Sequence, residues 1–382
     1  MADKYLIEPD LNFIKEVEEL GGGDLKKCFQ CATCSVVCPI SPENKPFPRK
    51  EMIAASWGLK DRLVGNADIW LCHQCGDCST KCPRGAKPGD VLGAVRSYAI
   101  TEYATPKFIG KMVNDPKKWP VLFVLPAILF IVLGLILKVA GINWLNVFPA
   151  SEEIVHSHFF SSWLVDLVFI PTSIWAAAIF ALGLKRFICD IHDNAVLEGK
   201  TDNKEFNILG FIQGLWKALP NILIHSKFSE CGENQKRATS HLMVFYSFVG
   251  LAIVTGIFFV TLYVLQIHGP YSQWNPVKWL ANISGVTLVI GSVMMIIDRM
   301  SKQDQESSYK DWYLLIVVFG LGVTGMLTEM TRLGGAATVS YILYFVHLMF
   351  VFNLFAFLPF SKLAHIVYRT VAMGYAEYAN RK

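Results

Sequence analysis

Charge is scarce in this chain. Only 17% of its 382 residues are Asp, Glu, Lys or Arg, against 53% hydrophobic. That deficit excludes a single ordinary soluble domain and points to a membrane protein. No basic stripe with interleaved aromatics occurs, so the small net charge of +4 gives no footing for nucleic acid. The opening residues MADKYLIEPD lack a basic start followed by an apolar core. No signal peptide is therefore expected, and the polar N-terminal part is expected to stay in the cytoplasm. Disulfides do not persist under reducing conditions, which leaves dense cysteines as metal ligands.

The cysteines are gathered at one end. Residues 1–118 are polar and hold eight of the ten, while long apolar runs dominate from Trp119 onward. The reading is a soluble head on a membrane body. Two runs, CFQCATCSVVCP from Cys28 and CHQCGDCSTKCP from Cys72, share the spacing C-x2-C-x2-C-x3-C-P. Three thiolates on one tight loop reach three irons of one [4Fe-4S] cube, and the fourth, held off by a turn of chain, points at the neighbouring cube. The expected ligand sets are therefore crossed. Cys28, Cys31, Cys34 and Cys82 hold one cluster; Cys72, Cys75, Cys78 and Cys38 hold the other. Structural zinc is the bland alternative, but zinc sites favour two separated ligand pairs over this spacing. Cys189 and Cys231 are left as free thiols.

Helical patterns surround the runs. Asp10 and Gly21 cap one segment, 49–65 forms a second, and 88–103 a third with Asp90 as its cap. A mainly helical head around two clusters resembles the α-helical ferredoxin domain of the heterodisulfide reductase C subunit and its relatives.

Six apolar segments are long enough to cross a bilayer, which takes about 20 residues of helix. They are 119–140, 162–184, 241–267, 278–298, 311–329 and 340–360. On the head side the connections and tail carry Lys185, Arg186, Lys200, Lys204, Lys217, Lys227, Lys236, Arg237, Arg299, Lys302, Lys310, Lys362, Arg369, Arg381 and Lys382. The opposite side has Lys138, Lys278 and Arg332 at its edges. This bias predicts a multi-pass protein of the cytoplasmic (inner) membrane with both ends in the cytoplasm. Within 185–240, the stretch FNILGFIQGLWKALPNILIHSKF is broken by Gln213, Lys217 and Pro220. It reads as an amphipathic helix on the membrane face, not a seventh span.

Histidines are the candidate ligands in the body, because polar groups are costly there. His241 opens the third span. His347 lies early in the sixth and His365 just past its end, 18 residues later. On one continuous helix that is about five turns, or ~27 Å, with both on one face. Axial imidazoles at two levels suit b-type haems. His241 and His365 are expected to pair on an inner haem. His347 needs an outer partner, with His158, His156 and His268 as the choices and His158 assigned. His73 and His192 read as ordinary loop residues, and so does His225, with contact to a quinone or a partner subunit as its alternative.

The stretch HLMFVFNLFAFLPFSKLAHIV resembles the last membrane helix of the nitrate reductase gamma subunit family, which binds two b haems by bis-histidine ligation and oxidises quinol. That family's paired histidines match His347 and His365. Of its earlier pair, ten residues apart, His241 matches one and the other falls at Leu251, which cannot ligate iron. The outer haem then draws its sixth ligand from another helix, or is five-coordinate, or is absent. The whole chain resembles the family of C subunits of quinone-interacting membrane-bound oxidoreductase complexes (Qmo). The fold class expected is all-α: an α-helical ferredoxin head with two [4Fe-4S] clusters, 1–112, fused to a six-helix transmembrane cytochrome b bundle, 113–382.

The resemblance implies an oxidoreductase subunit of dissimilatory sulfur metabolism. It would pass electrons between menaquinol and flavin-containing iron–sulfur partner subunits linked to adenylylsulfate reductase, although no flavin motif occurs in this chain. Its cofactors would be two [4Fe-4S] clusters and one or two haem b, with menaquinone/menaquinol as substrate. Tyr341, Tyr344 and His225 are possible quinone linings. Alternatives are the anchor of a heterodisulfide reductase-like or sulfite reductase-linked complex and, more distantly, a redox-sensing transporter. No internal repeat in the spans supports the last.

Overall fold

The computed structural model describes residues 8–146, 153–225, 235–301 and 308–381. Among them the chain is all-α. Its extended contacts are limited to a bridge between Leu145 and Phe160. The head contains α1 (Leu11–Val17), α2 (Thr33–Val36), α3 (Arg49–Ser56), α4 (Lys60–Val64), α5 (Asp68–Leu71), α6 (Asp77–Thr80), α7 (Pro88–Tyr103) and α8 (Lys107–Asn114). The body contains α9 (Trp119–Val139), α10 (His156–Phe159), α11 (Ser162–Leu197), α12 (Ile208–Ile224), α13 (Gln235–Tyr263), α14 (Pro276–Ser301), α15 (Tyr309–Leu333), α16 (Ala337–Ala356) and α17 (His365–Tyr378).

Local sequence explains most head boundaries. The Asp10 carboxylate accepts from the Asn12 and Phe13 amides at 2.9 and 3.0 Å and starts α1, as expected. Gly21, with φ of 113°, turns the chain at its far end. The segment 49–65 is two helices rather than one, broken around Gly58, whose φ is +67°. Asp90 does not cap its helix. Pro88 occupies the first turn, where its missing N–H costs nothing, and Asp90 sits buried inside that turn.

Among the described residues, six helices are long and apolar enough to cross a membrane: Pro116–Val139, Ser162–Leu197, Arg237–Tyr263, Pro276–Ser301, Tyr309–Leu333 and Ala337–Ala356. In α9 the buried residues are Leu122, Pro126, Phe130 and Gly134, one every fourth position; this stripe, flanked by the partly buried Phe123, Ala127, Leu133 and Leu137, meets the bundle, while residues such as Val124, Ile128 and Leu135 face outward. Pro126 has no N–H for the Leu122 carbonyl. The buried Asn353 side chain of α16 donates to that carbonyl at 3.1 Å and accepts from Tyr313 of α15 at 2.9 Å. One amide therefore satisfies a backbone group stranded by proline and ties three spans together. α16 is the hub, packed on α9, α11 and α15, while α13 and α14 lie together and join through α15.

The sixth span differs from expectation. It ends at Ala356, and two 3-10 turns, Leu358–Phe360 and Lys362–Ala364, separate it from α17. Pro359 removes a backbone donor and the chain re-enters a helix only at His365. His347 and His365 therefore belong to different helices and do not share one continuous face.

α12 packs along α17 rather than lying alone. Glycines make the approach: the Gly374 carbonyl lies against Gly214, and a Cβ at Gly374 would meet Leu215. The other side of α12 leaves Ile208, Ile212 and Trp216 exposed, as suits a membrane interface.

Head and body share one core. Trp70 of α5 stacks on Tyr368 of α17 with centroids 5.2 Å apart and meets Phe187 of α11 edge-on at 5.8 Å. Trp70→Ala is expected to cost about 3–5 kcal/mol, read as a lower thermal midpoint and earlier proteolytic release of the head.

A buried ionic latch closes the same seam. Asp68 pairs with Lys200 at 2.9 Å and with Arg381, and Lys200 also reaches Glu198 at 2.6 Å. Glu51 joins through Asn66, which donates to it at 3.2 Å. Burial, and then the Asp68 charge, push the Glu51 carboxyl up to about 7. An acid with a raised folded pKa stabilises fully below its unfolded value, 4.5, and loses that contribution as pH rises through about 7. Wild type should therefore lose thermal midpoint between pH 5.5 and 8. Glu51→Gln should remove that part of the loss, as read by paired melts across the range.

Candidate functional site

The two cysteine runs follow the same backbone path. Each has a left-handed residue at its third position, Gln30 and Gln74 with φ of 60° and 52°, and another at its fifth, Ala32 and Gly76 with φ of 68° and 97°. A short helical turn then carries the third cysteine: α2 for Cys34 and α6 for Cys78. Repeated sign changes in φ curl a loop so that successive amides and thiols point inward, a geometry suited to a polynuclear sulfur site. Donors already face the sulfurs. Gln30 Nε2 lies 3.3 Å from Cys28 Sγ, the Gln74 amide 3.3 Å from Cys72 Sγ, and the Ala86 amide 3.4 Å from Cys82 Sγ. Such bonds stabilise thiolate ligands.

The fourth cysteine of the first run lies with the second. Burial pushes Cys38 up to about 12, and the thiols that add to the rise are Cys72 and Cys75. Cys78 is raised well above the ordinary thiol range by burial and by Cys72, Cys75, Cys38 and Cys34. Cys34 is pushed up to about 11 by burial, then by Cys28 and Cys31. Thiols so reluctant to ionise need a cation to become thiolates. Among the described residues, no three His, Cys, Asp or Glu side chains converge as a single metal ion would require. Donors spread in this way suit clusters whose irons each take one thiolate.

The structure gathers the inner histidines. His365 opens α17, and its Nδ1 lies 2.6 Å from the Lys362 carbonyl. That bond places the proton on Nδ1 and the lone pair on Nε2, the arrangement a metal-ligating imidazole uses. Burial, then nearby His241, hold His365 down to about 3, so its ring is neutral. His241 in the first turns of α13 also packs on His225, the left-handed C-cap of α12, with ring centroids 4.9 Å apart. His225 is thus a third inner imidazole, which spacing along the sequence does not reveal.

The outer level is rearranged. His347 Nδ1 lies 3.0 Å from Thr324 Oγ1, and that hydroxyl donates to the Gly320 carbonyl at 2.6 Å, so it accepts from His347 and leaves Nε2 available. Its ring lies against α15 where a Cβ on Gly325 would come within 3.0 Å. His158 is exposed. His156 faces α16 instead: Ser340 Oγ gives its own proton to the Thr328 carbonyl at 3.1 Å and so accepts from His156 Nε2 at 2.9 Å, and the ring stacks on Tyr344 at 4.8 Å. Two residues along a helical turn is about 200° of rotation, so only one of the two can face α16. His268 is exposed beside the Gln266 carbonyl, and Leu251 packs in an apolar cluster with Leu288, Val318 and Leu321.

Two residues read as loop histidines have other roles. His192 is buried inside α11, bonded to Tyr375 Oη at 3.0 Å. His73, beside Cys72, meets Arg369 of α17 at 2.8 Å. Cys189 is an exposed thiol on α11, and Cys231 lies outside the described residues.

The fold and the cysteine geometry define a dicluster iron–sulfur head on a multi-pass helical body. The 4Fe-4S dicluster domain family matches residues 24–86, which hold both runs. Among individual proteins, the C subunit of the H(2):CoB-CoM heterodisulfide,ferredoxin reductase of Methanothermobacter thermautotrophicus is 36% identical over 58 residues. Its counterpart in Methanothermobacter marburgensis shows the same identity over the same length. The aligned part is 15% of this chain, and the chain spans only 31% of these curated relatives. No solved structure matches the chain.

Proposed function

We propose that this chain is a membrane electron-transfer subunit that passes electrons between menaquinol and soluble flavin and iron–sulfur partner subunits. One observation carries the reading: Arg369 on α17, one turn beyond His365, bonds to the carbonyl of Cys72 at 3.1 Å. A cluster ligand and the inner histidines thus adjoin. Bound haem b and [4Fe-4S] groups would supply one-electron carriers; the chain holds and spaces them. His241 and His365 would hold an inner haem and His347 an outer one; His158, or His156 if its Nε2 leaves Ser340, would complete the outer one. The eight run cysteines would hold the clusters in crossed sets. The basic connections on the head side support a cytoplasmic head, with the division into head and cytochrome b domain near residues 112 and 113.

The quinol gives up two electrons and two protons, and each electron leaves singly along the chain. The resemblance to Qmo C subunits supports a place in dissimilatory sulfur metabolism, beside adenylylsulfate reductase. The second reading, an anchor of a heterodisulfide reductase-like complex, draws on the identity to the methanogen proteins. In both, purified full-length protein in lipid discs should have its clusters reduced by a menaquinol analogue within seconds. Clusters that dithionite reduces and the quinol does not would rule the reading out. The proteins that co-purify from the native membrane distinguish the two.

A further inference from the structure

The two cysteine runs are alike in sequence and unequal in the fold. The first is open. Cys31 is exposed, and Phe29 and Val36 beside it are 67% and 84% exposed. The contacts of residues 28–38 themselves lie within the head, while Lys45 beyond them reaches the Glu198 and Gly199 carbonyls: Arg49 reaches Ser35 Oγ and the Gln30 carbonyl, and Arg84 lies over the Phe29 ring. The second run is enclosed. Cys75 and Cys78 are buried, and the Cys72 carbonyl accepts from two guanidinium groups, Arg96 of the head at 3.0 Å and Arg369 of α17 at 3.1 Å. Arg369 also donates to the Leu71 carbonyl at 3.3 Å and meets His73 Nε2 at 2.8 Å. His365 lies four residues before it on α17, about 6 Å along the axis.

We infer that electrons cross the head in one order, with Arg369 as the positioning residue that couples the second-run cluster to the membrane body. The cluster of Cys72, Cys75, Cys78 and Cys38 exchanges with the inner histidine level. The cluster of Cys28, Cys31, Cys34 and Cys82 exchanges with the soluble partner. This rests on the proposed function. Each hop oxidises the donor by one electron and reduces the acceptor by one, with no bond made or broken, and the membrane hydroquinone is the electron source. The Arg369 cation also favours the reduced, more negative state of the nearer cluster, so it raises that potential and leaves the farther one alone.

The test uses full-length protein carrying its clusters, with EPR-monitored redox titration and stopped-flow reduction by a menaquinol analogue. Cys75→Ser and Cys31→Ser variants first assign each signal to its run. Arg369→Gln should lower the second-run midpoint by about 59 mV, a tenfold change in the one-electron equilibrium, while the first-run midpoint stays fixed. Equal shifts, or a shift confined to the first-run cluster, overturn the order. Arg369→Lys carries the test if the glutamine variant does not retain iron. An ammonium keeps the charge but lacks the fork that spans Cys72 and His73, so both midpoints should hold while quinol-driven reduction slows about tenfold. An unchanged rate in that variant overturns the role of Arg369. Failure of quinol to reduce wild type would instead strike the proposed function, and the midpoint shift would still be readable.

Discussion

Cys38→Ala is expected to strip iron from the cluster of the other run. Cys38 belongs by sequence to the loop of Cys28, Cys31 and Cys34, yet its thiol neighbours are Cys72 and Cys75. Its loss leaves three thiolates for the second-run cluster, which opens at the unligated iron or is lost, while the first-run cluster keeps Cys82. The mirror variant, Cys82→Ala, should damage the first-run cluster. Iron analysis and EPR on single and paired variants check this. Cys38→Ala combined with Cys75→Ala should cost about one cluster, roughly half the iron; combined with Cys31→Ala it should cost both. Local ligation would reverse those two results.

The second large effect lies in the body. His241→Ala and His365→Ala should each remove the inner haem, because bis-histidine ligation fails when either side is lost, and combining them should remove no more. His347→Ala should remove the outer haem and spare the inner. One of His158→Ala and His156→Ala should follow His347→Ala, and the one that does marks the residue that completes the outer haem. Reduced-minus-oxidised spectra of the purified variants give the comparison. A loss in neither would leave His347 without a second ligand from this pair.

Much of this architecture is written in short-range pattern. The two runs, the apolar lengths and the first helix cap follow from spacing and residue type, because tight loops and spans are local objects. The rest depends on distant chain. Pro359 is plain in the sequence, but whether it kinks a helix or ends it depends on the packing of Phe360 against Trp175 and the head-side turns. The choice between His156 and His158 depends on a four-residue helix whose phase is set by Ser340, 184 positions later. His225 reaches His241 because α12 folds back along α17 through glycine contacts, which no periodicity within α12 reports. The Arg369 link to Cys72 spans 297 residues. A basic residue one turn past a candidate ligand is the available signal, and in the sequence it reads as part of the charge bias at the membrane edge.

The claim that the body conducts electrons is tested most directly by a pyridine haemochromogen assay on wild-type protein with its full iron–sulfur content. Haem b is expected at one or two per chain, two if His347 gains a second axial histidine. Protein that retains both clusters and carries no haem would contradict it.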